Sequence, residues 1–396
     1  MDIRIIKNTE DVEYYPIKDD LILLIGDYKR EIENIQGKKY TIFRVDSNEK
    51  EEVMPLIHKY KIWDIIDIWS NVNYLYFSEC NLLDKGKVEI IIYRYHLETE
   101  QCVQIYTSHE ELSIYPTQKK VKLFVLDENY LLIQHEYLKT NSANTYQSFF
   151  DFELLLYNIK EKTTHQVTDE SLSIGGIEKM LPISKNICAI KTGFNLLKDN
   201  RFSLLDKSEA VIENIGFVNV KQLISDILLK QENVFIDVID QAYFTKTFCN
   251  IKVMDNYLIY SRIIPEENKE EIVFYKYSTK EIKVGINQGI TSIEDLSNPV
   301  VLDGTPYIIL KNEDRTDFYN LINETTDLYF EEDVIIKEVY NDMIMTEKKV
   351  AGKLLKKPQS FIDVYQYPKK NLLLHENSPY IKCISMNSES LYVFIK

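Results

Sequence analysis

The sequence has little glycine and proline, with 11 Gly and 10 Pro among 396 residues, about half the usual share. There is therefore no Gly/Pro-rich linker at which to divide the chain. No apolar run approaches the roughly 18 residues of a membrane-spanning helix, and the start MDIRIIKN lacks the apolar centre of a signal peptide. We expect a cytoplasmic protein with no membrane partner.

Cysteine is also sparse. The five cysteines are odd in number, far apart and set in apolar strand patterns, which argues against a disulfide framework and is typical of reduced core residues: Cys80, Cys102, Cys188, Cys249 and Cys383. The six histidines are scattered, with none paired at metal-ligand spacing. We therefore predict no metal and no cofactor.

Catalytic signatures are missing as well. The sequence contains no G-x-S-x-G, H-E-x-x-H, P-loop or G-x-G-x-x-G motif, so the catalytic residues, if there are any, stay unknown at this stage. A net charge of −15 argues against a nucleic-acid partner.

What the sequence does contain is one short pattern that recurs along its whole length. FYKYSTKEIKV, from Phe274 to Val284, has an apolar strand, a polar turn and a second strand. Clear copies begin at Ile92, Leu156, Phe318 and Val364, and weaker ones at Ile42 and Phe202. Four of the six spacings between consecutive copies are close to about 47 residues, the period of four-stranded propeller blades.

Each period has a second hairpin upstream of the recurring one. Apolar runs joined by tight Asn/Asp turns, such as IKVMDNYLIYSRII, predict strands a and b, and the recurring pattern predicts strands c and d. Consecutive apolar residues such as Ile90, Ile91 and Ile92 indicate strands buried on both faces. The pairs Tyr275/Tyr277 and Tyr365/Tyr367 are interpreted as spacers between blades.

This arrangement resembles the β-propeller proteins in general. The resemblance is topological and transfers no functional residue, since Trp63-Asp64 precedes strand a and the kelch-like double glycine occurs once, at Gly175-Gly176. We predict an all-β fold, a β-propeller of four-stranded blades forming a single domain over residues 1–396. Eight blades are favoured, with seven as the alternative, and the N- and C-terminal strands close the propeller.

The long connections nominate one face of the blades. Because strands alternate in direction, b–c and d–a connections share one end, and the long segments Leu138–Phe150, Phe217–Lys246 and Val350–Pro358 are all assigned to that end. Residues 217–246 are predicted to be a helical insertion between the fourth and fifth repeats. Val220, Leu223, Ile224, Ile227 and Leu228 form one apolar stripe, with Asn219 as its cap, and Phe235, Val238, Ile239, Ala242 and Tyr243 form a second.

The stripe and a lysine-rich loop are the candidate interaction residues, although an apolar stripe usually faces its own core and a charge run is usually a solvated tip. The predicted interaction face is Leu223, Ile224, Ile227, Leu228, Phe235, Lys349, Lys353, Lys356 and Lys357. His96, His165 and His375 are placed in or just after c–d turns, as surface residues.

Three functions are compatible with these features. The first is a non-catalytic scaffold that holds a protein partner on the face with the long connections. The alternatives are a hydrolase acting on a sugar or peptide in an axial pocket, and a small-ligand sensor. Fold does not decide among them, and the oligomeric state stays open.

Overall fold

A computed structural model describes most of the strands and their turns. The described residues are 2–7, 12–18, 21–30, 35–44, 49–58, 68–70, 73–82, 87–111, 120–141, 144–169, 172, 175–193, 213–231, 235, 237–242, 246–290, 296–311, 314–331, 334–340, 342–350, 359–377, 381–385 and 390–395.

The strands follow one another along the chain with few other elements between them. The first seventeen are β1 (Asp2–Lys7), β2 (Val12–Lys18), β3 (Leu21–Arg30), β4 (Ile35–Arg44), β5 (Glu49–His58), β6 (Ile68–Ser70), β7 (Tyr74–Leu82), β8 (Lys87–His96), β9 (Cys102–Glu111), β10 (Lys120–Val125), β11 (Tyr130–Asn141), β12 (Asn144–Asn158), β13 (Thr163–Gln166), β14 (Ile177–Ser184), β15 (Ile187–Thr192), β16 (Glu213–Asn219) and β17 (Asp237–Ala242). The rest are β18 (Thr247–Met254), β19 (Tyr257–Ile264), β20 (Lys269–Lys276), β21 (Glu281–Gln288), β22 (Asn298–Leu302), β23 (Thr305–Lys311), β24 (Arg315–Asn320), β25 (Thr325–Glu331), β26 (Val334–Tyr340), β27 (Met343–Val350), β28 (Gln359–Gln366), β29 (Asn371–Asn377), β30 (Ile381–Ser385) and β31 (Ser390–Ile395).

The described strands form seven four-stranded sheets, each built from four consecutive strands from β2–β5 through β26–β29, and one three-stranded sheet. Within each four-stranded sheet all neighbours are antiparallel and pair in chain order, as strands a, b, c and d. This confirms the predicted fold class, an all-β propeller of four-stranded blades, with a count that fits seven or eight.

The chain divides into two compact units. One contains Val12–Phe244 and holds the four sheets β2–β5, β6–β9, β10–β13 and β14–β17. The other contains Met1–Asp11 and Thr245–Lys396 and holds the sheets β18–β21, β22–β25 and β26–β29 together with the three-stranded sheet. The single domain over residues 1–396 stays a prediction.

The terminal strands meet as the sequence predicted. β31 lies between β30, to which it is antiparallel, and β1, to which it is parallel, with Asp2 opposite Ser390 and Lys7 opposite Ile395. The first and last strands of the chain therefore belong to one sheet.

The strand interiors form the core because their apolar residues are buried on both faces. Ile90 and Ile92 are fully buried and Ile91 nearly so, as expected for strands covered on both sides. Within the Val12–Phe244 unit, Ile90 and Ile92 pack with Leu131 and Ile133 of the following sheet. Burial between successive sheets is thus the main source of stability.

In two of the recurring c–d hairpins, strand c ends with an asparagine that organises the turn. The Oδ1 atom of Asn158 accepts hydrogen bonds from the backbone N–H groups of Lys160 and Glu161, each at 3.0 Å. Asn320 does the same for Ile322 and Asn323, at 2.8 and 3.2 Å. Asparagine favours such turns because its side chain replaces a backbone acceptor, which explains the sequence pattern.

The helical insertion is only half confirmed. Helix α1 (Val220–Leu228) begins at Asn219, whose side chain accepts from the N–H groups of Lys221 and Gln222, as predicted. The second stripe is not a helix: it contributes strand β17, which pairs with β16. The prediction of a helix within 217–246 is therefore confirmed for Val220–Leu228, but its placement between two repeats and the helical second stripe are wrong, because Asp237–Ala242 completes the same sheet.

The position of α1 also corrects the assignment of all long connections to one end. The helix joins strands c and d of its sheet, and the Val220 N–H donates to the Asn186 carbonyl in the a–b turn at 2.9 Å. It therefore lies at the end opposite the b–c connections. Leu138 pairs with Phe150, so that predicted loop is a continuation of β11 and β12. The weak copy at Phe202 lies outside the described residues.

Candidate functional site

A histidine and an aspartate meet on strands c and d of the sheet β26–β29. In this sheet Thr346, Asp363 and His375 are directly opposite one another on three neighbouring strands, so their side chains share one face. The His375 Nδ1 atom is 2.5 Å from the Asp363 Oδ1 atom. The side chain of His375 is 55% exposed and that of Asp363 is 17% exposed.

Two neighbours hold the pair in place. The Tyr365 hydroxyl donates to the Asp363 Oδ2 atom at 3.1 Å, and the Phe361 ring stacks on the His375 imidazole with centroids 5.5 Å apart and an interplanar angle of 15°. Burial, and then the charge and hydrogen bond of Asp363, raise the pKa of Tyr365 to about 12. Tyr365 therefore stays a hydrogen-bond donor at neutral pH, and both oxygens of Asp363 are engaged.

This geometry is that of an oriented general base. In the tautomer with its proton on Nδ1, facing Asp363, the Nε2 atom carries the lone pair of the ring. A carboxylate that fixes the tautomer and supports the imidazolium is a recurring arrangement in acid–base catalysis.

A second histidine–carboxylate pair bridges strands c and d of the sheet β6–β9 but is built differently. The His109 Nε2 atom is 3.2 Å from the Glu89 Oε1 atom, with side-chain exposures of 58% and 26%. Here Nε2, not Nδ1, faces the carboxylate. The two pairs therefore present opposite ring nitrogens to solvent.

The histidine predictions have mixed outcomes. His96 lies at the end of β8, and its Nδ1 atom accepts from the N–H groups of Glu98 and Thr99, so it does organise a c–d turn. His165 is exposed in β13, just after the turn. His375 is a surface residue as predicted, with a side chain that is 55% exposed, but it lies farther from the turn than predicted, well inside β29.

The predicted interaction residues differ in how far their side chains are buried. Leu223, Ile224 and Ile227 are at most 8% exposed and lie in the core of their unit, against which Phe235 packs. Leu228 is 39% exposed. The helix stripe thus contributes to the core of the Val12–Phe244 unit, and three of these residues have no surface to offer a partner.

The lysine-rich loop connects strands b and c, as predicted, since β27 ends at Val350 and β28 begins at Gln359. Lys349 lies in β27. Lys353, Lys356 and Lys357 lie outside the described residues, so their interaction role, and the expected protein partner, stay predictions.

A buried polar cluster in the sheet β18–β21 is structural in character. The fully buried Glu270 accepts hydrogen bonds from the Ser261 hydroxyl at 2.6 Å, the Ser297 hydroxyl at 2.8 Å and N–H at 2.9 Å, and the Asn287 amide at 3.2 Å. Four donors satisfy the carboxylate, and they tie Ser297, which precedes β22, to this sheet.

Of the paired tyrosines, Tyr365 and Tyr367 lie between sheets as predicted, whereas the Tyr277 hydroxyl donates to the Asp255 carbonyl of its own sheet. The Tyr367 hydroxyl is 2.5 Å from that of Tyr307 in the preceding sheet, and Tyr307 also donates to the Asp327 Oδ2 atom at 2.9 Å. Burial and the hydrogen bonds to Tyr367 and Asp327 raise the pKa of Tyr307. Burial opposes ionisation of Asp327, but its hydrogen bonds from Asn320, Thr325 and Tyr307 outweigh that effect and lower its pKa.

A pocket of about 320 Å³ lies between strand β9 and the c–d hairpin of the next sheet, lined by Gln104, Tyr106, Thr107, Tyr157 and Lys162 among others. Its size is at the lower end for small-molecule sites. The small-ligand sensor stays an untested alternative.

The described residues contain neither a metal-binding cluster nor a membrane-spanning helix. No cluster of three or more His, Cys, Asp or Glu side chains there has the arrangement needed to hold a metal ion. No helix within those ranges is long and apolar enough to cross a membrane.

Comparison with known proteins gives structural likeness alone. No protein-family model matches the chain, and no curated protein sequence matches it. Among solved structures, Porphyromonas gingivalis dipeptidyl peptidase 4 is similar with a TM-score of 0.50 and 12% identity over 90% of this chain and 50% of that one. The chain thus spans about half the length of that peptidase.

Two other solved structures share the architecture. The β-propeller domain of the trilobed protease from Pyrococcus furiosus has a TM-score of 0.43 and 10% identity over 91% of this chain and 96% of that one. Pyrococcus horikoshii acylaminoacyl peptidase has a TM-score of 0.43 and 9% identity over 97% and 65%. At 12% identity, the likeness to dipeptidyl peptidase 4 concerns the fold alone.

The comparisons correct one prediction. The role of a non-catalytic interaction scaffold is contradicted, because dipeptidyl peptidase 4, with a TM-score of 0.50, is a peptidase. The comparisons favour the hydrolase that the sequence left as an alternative.

Proposed function

We propose that the chain is a hydrolase that acts on peptides, with His375 as its general base. The observation that carries the proposal is the 2.5 Å contact between His375 Nδ1 and Asp363 Oδ1, which directs Nε2 away from the carboxylate. The likeness to dipeptidyl peptidase 4 supports the choice of peptides over sugars. The site is on the outer strands of one sheet, whereas the sequence-based alternative assumed an axial pocket.

The reaction follows from the orientation of the ring. Nε2 removes a proton from a water molecule as its oxygen attacks the peptide carbonyl carbon. The C–N bond then breaks, and the imidazolium returns the proton to the leaving amine. Asp363 stabilises the imidazolium through Nδ1–H, and Tyr365 holds Asp363 in position.

A peptidase assay tests this directly. The purified chain is incubated with dipeptide and tripeptide aminocoumarin substrates, including proline-containing ones, and coumarin release is followed by fluorescence. We expect His375→Gln to lower kcat by about 100-fold or more, because general-base catalysis contributes 10²–10⁴-fold. Asp363→Asn should also lower kcat, with a changed pH–rate profile, because the amide can stabilise the other tautomer.

His109→Gln is the matched control, since this histidine has a similar exposure and also pairs with a carboxylate, but through Nε2. It should leave kcat unchanged. Absence of hydrolysis by the unaltered chain, or equal rates for it and His375→Gln, would overturn the proposal.

We also propose that the chain functions in the cytoplasm, as its cysteine usage suggests. Cys188 supports this, because it is a free, buried thiol. Its burial raises the pKa to about 11, so the thiol is neutral at cytoplasmic pH.

A further inference from the structure

Strand β21 is the outer strand of the sheet β18–β21. It pairs with β20 along its whole length, from Glu281 to Gln288, and no other described strand pairs with its second edge. The N–H and C=O groups of such an edge can extend the sheet to another strand.

The same strand carries an exposed aliphatic row. Ile282, Val284 and Ile286 alternate along β21 and therefore share one face, and they are 50%, 44% and 55% exposed. On the opposite face Glu281 and Lys283 are exposed but Gly285 is buried, and a Cβ atom at Gly285 would lie 1.9 Å from Cδ1 of Ile308 in the next sheet. β21 is therefore held against the next sheet at Gly285, while its aliphatic face is left to solvent.

Two other outer strands, β13 and β25, do not combine these features. All four residues of β13, TTHQ, are polar and exposed. In β25 the exposed Tyr329 lies between Asp327 and Glu331 on its face. Natural proteins protect edges with polar or charged side chains in this way, and an unprotected apolar edge is a site of strand addition.

We propose that β21 pairs antiparallel with β21 of a second copy of this chain, about a two-fold axis at Val284. In this register Val284 lies opposite Val284 of the other copy. The two-fold axis also produces two equivalent pairs in which Ile282 of one copy lies opposite Ile286 of the other. Six aliphatic side chains then form one continuous face across the joint sheet. On the other face, neither Glu281 nor Lys283 is opposite a charge of the same sign.

Neighbouring registers are poorer. An axis at Lys283 places two lysines directly opposite each other, which is destabilising. An axis at Gly285 places Ile282 opposite Gln288 and leaves it without an aliphatic partner. An axis between two residues puts the aliphatic rows of the two copies on opposite faces of the joint sheet. The sequence of β21 is thus complementary to itself at Val284, which argues for a second copy as the occupant.

The register can be tested by cysteine cross-linking of the full chain. Val284→Cys places two thiols opposite each other, so mild oxidation should yield a covalent dimer on non-reducing gels. Ile282→Cys is the matched control: its two thiols would be four residues apart along the strands, roughly 13 Å, and should give only the background of the unaltered chain. Equal cross-linking by both variants would overturn the proposal.

The association itself is measured by light scattering after size exclusion at high protein concentration. The unaltered chain should show twice the monomer mass of 46.8 kDa, and Val284→Lys should return it to the monomer mass with an unchanged circular dichroism spectrum. Val103→Lys, at a similarly exposed position of 43% in β9, should keep the dimer. A monomer at all concentrations, or a dimer that both lysine variants leave intact, would refute pairing through β21.

Discussion

Replacing Gly176 with alanine should destabilise the Val12–Phe244 unit far more than a glycine-to-alanine change usually does. Gly176 has φ +71°, and an added Cβ would lie 2.8 Å from Oε1 and 3.0 Å from Cδ and Nε2 of Gln134. That amide is buried and spans two sheets, because its Nε2 donates to the Ile177 carbonyl at 3.1 Å and its Oε1 accepts from the Ile177 N–H at 2.6 Å.

The cost has two separable parts. A left-handed conformation costs an alanine about 1–2 kcal/mol. Displacing the Gln134 amide removes two hydrogen bonds and leaves buried polar groups unsatisfied, which adds about 2–3 kcal/mol. We therefore expect Gly176→Ala to cost about 3–5 kcal/mol in the free energy of unfolding, the sum of these two parts.

Urea unfolding, followed by fluorescence and circular dichroism, measures this cost. Gly304→Ala is the conformational control, since Gly304 has φ +69° and nothing lies within 4 Å of its added Cβ; it should cost about 1–2 kcal/mol. Because Gly304 belongs to the other unit, Gly176→Ala is also made in a Gln134→Ala background, where the contact part should disappear. An equal cost in both backgrounds would show that the amide contact plays no part.

Two further predictions concern other buried groups. The pKa of Cys188 is raised from about 9.0 to about 11, so both states hold a neutral thiol below pH 9, and between pH 9 and 11 only the unfolded state ionises. The free energy of unfolding should therefore fall by up to about 3 kcal/mol over that range. Urea unfolding at several pH values should show a smaller fall for Cys188→Ala than for the unaltered chain, and the same dependence on pH in both would contradict this. Tyr307→Phe removes one charged and two neutral hydrogen bonds, of which the one from the Asn320 amide is long at 3.4 Å. It should cost about 3 kcal/mol, against about 1 kcal/mol for Tyr367→Phe; thermal unfolding of the two variants decides, and equal costs would refute the unequal roles.

The repeated hairpins could be predicted from sequence because their signals are local. Asn158 and Asn320 mark the c–d turns with side-chain oxygens that bind the next N–H groups, and runs such as Ile90 to Ile92 mark strands buried on both sides. Spacing alone then gives the four-stranded period. The three-stranded sheet could also be predicted, because the incomplete blade formed by the C-terminal strands needs a further strand, and the N-terminal strand can supply it.

The prediction that the second apolar stripe forms a helix was wrong for a physical reason. The spacing of Phe235, Val238, Ile239 and Ala242 fits a helix, yet β17 is held by pairing with β16, a tertiary contact that overrides the local pattern. The helix α1 fitted both its pattern and its packing, because its stripe is buried in the core of its own unit.

The pairing of His375 with Asp363 was hidden by a bulge. Counted back from the turn pairs Gln366–Asn371 and Tyr365–Leu372, the regular register would set Asp363 opposite Leu374. The register shifts between Val364 and Tyr365, so Asp363 meets His375. A bulge re-aims the side chains beyond it, and sequence gives no sign of where one falls.

The parallel contact between β1 and β31 has a consequence for synthesis on the ribosome. β1 is made before the other described strands, but Asp2 cannot pair until its partner Ser390, in β31, has also been made. Throughout translation the nascent β1 therefore keeps an unsatisfied edge that chaperones can bind or that can aggregate. The entropic cost of closing a loop grows only slowly with its length. For the pairing of β1 with β31, the time before β31 leaves the ribosome therefore matters more than the number of residues between the two strands.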